Sequence, residues 1–220
     1  MSTESPNRRR LIRCRPVIAA LAASMIVTGC VTGDRPELEP VPVVDDAAAE
    51  VVLDRLARAG SVPFTATYDI IPSATGATTT AVVRQLEDQR RVTIGDVDYR
   101  IDNGSIRTCR LGTDECDDFA NDALVSDLNL THRFWSDGIA TRLTVDAGRR
   151  IGFSEGRTDT IAGRAAACVD VPVLGGSVVY CALDAGVLAR YFNADVSIEL
   201  TSYTDDVDPG AFAADADPGV

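Results

Sequence analysis

The chain has 220 residues, and its 33 acidic side chains outnumber 21 basic ones for a net charge of −12. A surface this acidic repels phosphate backbones, which excludes nucleic acid as a partner. Hydrophobic residues make up 45% and aromatic residues 5%, enough apolar material for one domain with a core but few of the rings that dominate large apolar sites.

The chain opens on an arginine-rich stretch, "NRRRLIRCR", followed by the apolar run "PVIAALAASMIV" of residues 16–27 and by small residues. That order is an export signal. Twelve residues at the helical rise cover about 18 Å, short of the roughly 30 Å hydrocarbon core, so the run does not span a membrane. The next residues, Val27-Thr28-Gly29-Cys30, resemble the lipobox of bacterial lipoproteins. The resemblance implies removal of residues 1–29, including Cys14, acylation of Cys30, and a lipid-anchored position on the extracytoplasmic face of the cell membrane. "NRRRLIR" is also loosely similar to a twin-arginine signal without its usual Ser or Thr and Phe, which leaves the export route open. The remaining chain holds 16 Arg against 32 acidic residues, a net charge of about −16. Membrane association therefore rests on acyl chains. All 21 basic residues are Arg and none is Lys, which fits GC-rich coding and an actinobacterial source.

Residues 30–45, "CVTGDRPELEPVPVVD", carry three prolines in seven positions and read as an extended linker. A helix is expected over "DDAAAEVVLDRLARAG", capped by Asp45 or Asp46 and ended by Gly60, with Val52 and Leu56 on one face. The period then changes to two. "FTATYDI" alternates Phe64, Ala66, Tyr68 and Ile70 with polar residues, and "VSIELTSY" does the same with Val196, Ile198 and Leu200. Between them lie "TTTAVVRQL", "RRVTIG", "VDYRID", "SIRTC", "TRLTVD", "RIGFSE", "AAACVDVPV", "SVVYCAL" and "VLARYF", each strand-like and separated by turn signals. "DDFANDALVSDLNLTHRFW" interrupts them with helical spacing. The pattern predicts a mainly β, α+β domain over residues 46–209, built as a large curved antiparallel sheet with helices against one face. The acidic, Ala- and Gly-rich end, residues 210–220, reads as a flexible tail.

Four cysteines remain for pairing: Cys109, Cys116, Cys168 and Cys181. An even number in an exported chain favours two disulfides. A hairpin turn centred on Leu174-Gly175 sets Cys168 opposite Cys181, and a loop at 111–114 sets Cys109 opposite Cys116. The spacing lacks the paired Cys and His clusters of a zinc site, so neither metal nor cofactor is expected.

"GFSEG" at 152–156 matches the Gly-x-Ser-x-Gly pattern of hydrolases, but the only histidine, His132, lies upstream of Ser154 and the following residues read as a strand. "DVDPG" lacks the later ligands of a calcium loop. No catalytic residue is assigned, and the expected class is not an enzyme.

The lipobox, the helix, the run of strands, "IAGRAAACVDV", "VVYCALDAGVLARYF" and "LTSYTDDVDPGAF" together resemble actinobacterial lipoproteins related to the lipoprotein-carrier superfamily, LolA-like and LppX-like. That resemblance implies a half-open barrel of about eleven antiparallel strands whose concave side is covered by helices and holds a lipid or acyl chain. Val52, Leu56, Phe64, Tyr68, Val196, Ile198 and Leu200 are the candidate cavity residues. The expected function is binding or transfer of a hydrophobic ligand. The alternative is an anchored sensor or protein-interaction module with a closed core.

Overall fold

The structure is a computed structural model that describes residues 46–113 and 115–213. The export signal, Cys30, the linker of residues 30–45 and the tail residues 214–220 lie outside the described residues.

Helix α1 spans Ala47–Leu56. Asp46 starts it: its carboxylate accepts hydrogen bonds from the backbone N–H groups of Ala48 and Ala49, both at 3.1 Å. Ala49, Val52 and Leu56 form its buried stripe. The helix stops four residues before Gly60, which sits in a 3₁₀ turn over Ala59–Ser61. Eleven strands follow: β1 Phe64–Pro72, β2 Thr79–Leu86, β3 Gln89–Ile94, β4 Val97–Asp102, β5 Ser105–Arg110, β6 Cys116–Asp117, β7 Glu155–Ile161, β8 Arg164–Val173, β9 Gly176–Leu183, β10 Leu188–Phe192 and β11 Val196–Thr204.

They form one antiparallel sheet in the order β6-β5-β4-β3-β2-β1-β11-β10-β9-β8-β7. The architecture is thus two meanders, β1 to β6 and β7 to β11, joined where the first strand pairs with the last. The short β6 and the exposed β7 are its edges, so the sheet stays open rather than closing into a barrel. The expected architecture is therefore the observed one.

Register carries the apolar face across the strands. Phe64, Ala66, Tyr68 and Ile70 of β1 stand in one phase with Val83 and Ala81 of β2, Val92 and Ile94 of β3, and Val97 and Tyr99 of β4. All are buried. On the other side the same phase continues through Leu200, Ile198 and Val196 of β11, Tyr191 of β10, Tyr180 of β9 and Val169 of β8. Helices cover this inner face. Helix α1 lies over β7, β8 and β9 and against α2, and the 122–138 segment lies over β1.

Two sequence expectations fail between β6 and β7. "TRLTVD" is not a strand but part of α2, Ile139–Gly148, whose buried residues Ile139, Leu143 and Ala147 recur every four positions. The apparent alternation of Leu143 and Val145 is incidental, because Val145 is half-exposed. "RIGFSE" is irregular up to Ser154. Its Ile151 and Phe153 are exposed, so the segment has no buried face to hold it in a sheet.

The end of the domain also moves. Residues Pro209–Phe212 form a 3₁₀ turn with Ala211 buried, capped by Asp208. Its Ala211 carbonyl accepts from Arg91 Nη1 at 2.6 Å. Residues 210–213 therefore belong to the domain rather than to a tail.

Both disulfides occur as the register requires. Cys168 pairs with Cys181 across β8 and β9, closed by the two-residue turn Leu174-Gly175, where Gly175 has φ +91. Cys109 pairs with Cys116 across β5 and β6. By chain entropy each bridge contributes about 2.5–3 kcal/mol. Peptide mapping without reduction should recover both linkages, and C168A/C181A should lower stability by about that amount in urea. Four free thiols in the mapping would contradict this pairing.

Candidate binding cleft

The inner face of β2 to β5 is only partly roofed. The roof begins with a 3₁₀ segment, Asp122–Leu128, with Val125 and Leu128 buried. It continues through buried Leu130 to a π-helical turn, Phe134–Gly138, that leads into α2. Trp135 anchors it, with its ring centroid 5.5 Å from that of Tyr68 and 5.1 Å from that of Phe134. A second clamp is local: Asp122 accepts from the His132 backbone N–H at 2.7 Å, and its carboxylate lies 2.9 Å from His132 Nδ1. The His132 ring lies over Tyr99 with centroids 5.9 Å apart.

Between this roof and the sheet an open cleft of about 580 Å³ remains, lined by Gln85, Arg90, Ile101, Ile106, Ala120 and His132 among others. That volume falls within the range of small-molecule sites, about 300–1,000 Å³. Four of its residues form one cross-strand row, because Gln85 pairs with Arg90, Arg90 with Ile101, and Ile101 with Ile106. The row is half polar and half apolar. Ile101 and Ile106 are only partly covered.

Arg90 is the unusual member. It occupies the phase that Val92 and Ile94 use to enter the core. Its Nε donates to Gln85 Oε1 at 2.9 Å, its Nη2 donates to the same oxygen, and its Nη1 reaches the Trp135 carbonyl at 3.4 Å. Gln85 in turn donates to the carbonyls of Ala59 at 2.7 Å and Val62 at 3.1 Å, which fixes the polar end of the row. Burial holds the Arg90 guanidinium below its ordinary pKa. Among the described residues no carboxylate forms an ion pair with it, although Glu87 and Asp88 stand on the cleft rim. A partly dehydrated cation without a carboxylate partner can form charge-assisted hydrogen bonds with an anion.

The seven cavity candidates lie elsewhere. Val52, Leu56, Phe64, Tyr68, Val196, Ile198 and Leu200 are all buried members of one packed core. None lines this cleft, the cleft at Val145 and Leu174, the one at Thr108 and Cys116, or the one at Arg91 and Phe212. The space beneath α1 is filled by side chains from β8, β9 and α2, as an amphipathic helix on a sheet normally is. Tyr68 further closes it, donating its hydroxyl to the Leu188 carbonyl at 3.0 Å. Ser154 interacts with the Asp46 carboxylate that caps α1, which lowers the pKa of that acid below its ordinary value against the opposing effect of burial. Its observed partner is thus a helix cap. Among the described residues no group of three or more His, Cys, Asp and Glu side chains is placed to hold a metal ion, and no helix is long and apolar enough to cross a membrane.

Sequence reasoning overlooked Arg90, Ile101 and Ile106. The available signal was phase: in "QRRVTI" an arginine falls where alternation requires a core residue.

No known protein family matches the chain, and no curated protein matches it. Solved structures show weak likenesses. A crystal structure of MucB aligns with a TM-score of 0.49 at 16% identity over 75% of this chain and 61% of that one. A Pseudomonas aeruginosa MucA/MucB complex gives 0.35 at 15% over 72% and 57%, and PNGF-II gives 0.36 at 10% over 70% and 30%. This chain thus spans about three-fifths of the MucB chain.

Proposed function

We propose that this chain is an extracytoplasmic binding protein, tethered at Cys30 by acyl chains, that takes an amphiphile with an acidic head in the cleft of β2 to β5. One observation carries the binding reading: Arg90 sits in apolar phase, partly dehydrated and without a carboxylate partner among the described residues, between Gln85 and the two isoleucines, Ile101 and Ile106, of its cross-strand row. The acyl tail would lie on the two isoleucines and Ala120, and the carboxylate or phosphate head would meet Arg90 with Arg133 and His132 nearby. Such binding needs no bond-making chemistry, in keeping with the reading of the chain as a non-enzyme. The tether reading rests on "VTGC", residues 27–30, and two acyl chains at roughly 0.8 kcal/mol per CH₂ are enough for stable attachment. The architecture also agrees with a place in the lipoprotein-carrier superfamily.

The test is titration with a fluorescent fatty acid. Saturable binding is expected, competed by unlabelled fatty acid. I106W, which fills the cleft from a partly exposed position, should weaken it by about tenfold, equivalent to about 1.4 kcal/mol. V52W, by contrast, should disturb folding before it disturbs binding, because Val52 is fully buried. No saturable binding, or equal affinity in folded wild type and I106W, would leave the closed-core interaction module in place of this reading.

A further inference from the structure

A second surface is marked by apolar side chains that project into solvent. Phe153 is 98% exposed and Leu174 is 92% exposed, the two most exposed large hydrophobics among the described residues. They belong to one corner. The backbone pairing of Glu155 with Asp170 runs the 150–154 loop along the end of β8, and a β-carbon on Gly152 would lie 3.1 Å from Pro172. Leu174 is two residues further on, in the β8–β9 turn. Val145 and Arg149 from the end of α2 share a 470 Å³ cleft with Leu174, and Val145 and Ile151 are each 48% exposed.

The same corner receives the chain from its N-terminal side. Asp46, the first described residue, interacts with Ser154, the neighbour of Phe153. The described chain therefore begins at this corner, and on the tether reading the anchored Cys30 precedes it in sequence. The charge pattern also singles it out. The chain as a whole is strongly acidic, and that excess repels anionic headgroups. Here Arg142, Arg149, Arg150 and Arg157 stand against Asp46, Asp146, Glu155, Asp170 and Asp195, a nearly even balance, and the ion pairs Arg149–Asp146 and Arg157–Asp170 lie within the corner.

We infer that this corner is a membrane-contact surface, with Phe153, Leu174 and Ile151 entering the headgroup and upper acyl region of the bilayer while the arginines remain at the headgroup level. The occupant is a lipid surface rather than a single lipid. Phe153 and Ile151 project outside the cleft that Leu174 borders, which suits insertion into a lipid surface rather than enclosure of a peptide. Contact at this corner would also orient the domain, fixing the direction in which the β2 to β5 cleft opens, and it does not depend on what that cleft binds.

The full chain, extracted from its envelope and reconstituted into vesicles of phosphatidylcholine and phosphatidylglycerol with brominated acyl chains, tests this through F153W. Because Phe153 is fully solvent-exposed, the substitution leaves folding intact, and the buried Trp135 signal is subtracted using wild type. About twofold quenching of the F153W signal with a blue shift is expected, whereas F119W, at an exposed position beside β6 on the opposite edge of the sheet from β7 and β8, should be unquenched. A solvent-like F153W signal on vesicle-bound protein, equal quenching of both variants, or a chain that does not join the vesicles would each overturn the inference. Fatty acid titration of F153W should match wild type, which separates this outcome from failure of the binding cleft.

Discussion

Replacing Asp98 by alanine is expected to destabilise the domain by about 3–5 kcal/mol, the cost typical of breaking a buried ion pair by removing one partner. Asp98 is fully buried on the outer face of the sheet. It accepts from Arg91 Nε at 2.8 Å, Arg100 Nε at 2.8 Å and Thr93 Oγ1 at 3.1 Å. Arg91 is itself only 1% exposed and also donates to the Ala211 carbonyl. Alanine therefore removes a carboxylate from beside a guanidinium that cannot reach water without unfolding its cover. The first part of the domain to respond should be the 209–212 turn, which is held by the same arginine. Urea unfolding followed by far-UV circular dichroism gives the magnitude, and protease cleavage near 209 gives the location. A loss below about 1 kcal/mol, the usual worth of an exposed pair, would contradict the buried network.

The second large effect is expected at Gly186. It has φ +85, and a β-carbon there would stand 2.5 Å from the Arg55 carbonyl oxygen and 2.6 Å from the Ala59 nitrogen. Both obstacles are backbone, so no side-chain rotation relieves them. The close approach is also tied down at its flanks. Arg55 donates to the Ala182 carbonyl at 3.0 Å and pairs with Asp184 at 2.7 Å, which locks the end of α1 onto the β9–β10 turn. G186A combines a left-handed backbone penalty of about 1–2 kcal/mol with displacement of the helix end. A total near 4 kcal/mol and a fall in Tm of about 10 °C are expected for a domain of this size. The comparison is G76A, at another positive-φ glycine with open space around its β-carbon position, where only the backbone penalty applies. Equal losses in the two variants would show that the packing of this turn against α1 matters little.

The legibility of this fold follows from where its information is local. Alternation in "FTATYDI" and "VSIELTSY" set the inner face of β1 and β11, and turn position set the disulfides, since hairpin register is fixed by the residues that make the turn. The failures lie where a short window admits two periods. "TRLTVD" alternates on its own, and only Ile139 and Ala147 beyond its ends reveal the four-residue repeat that α2 buries. The seven cavity candidates proved to be core residues for a different reason. Val52 and Leu56 were read correctly as an apolar stripe, but whether a stripe meets a filled core or a cavity depends on the partners that tertiary packing brings, here β8, β9 and α2. Conversely, the cleft at Ile101 and Ile106 lies where the 120–136 roof, bonded to β5 at Thr108, leaves these two side chains only partly covered, and no local pattern in the sequence specifies how far a roof extends. Arg90 alone announced itself, as a charge in apolar phase.

The central claim is that an acidic amphiphile lies along the row from Arg90 to Ile106. A fatty acid bearing a photoactivatable diazirine near the end of its chain tests it directly, because cross-linking followed by peptide mapping reports position as well as binding. Labelling confined to peptides containing Ile101, Ile106 and Ala120, suppressed by excess unlabelled fatty acid and lost in I106W, is the predicted result. Labelling of the α1 peptide at Val52 and Leu56, or no competed labelling in the folded protein, would contradict it.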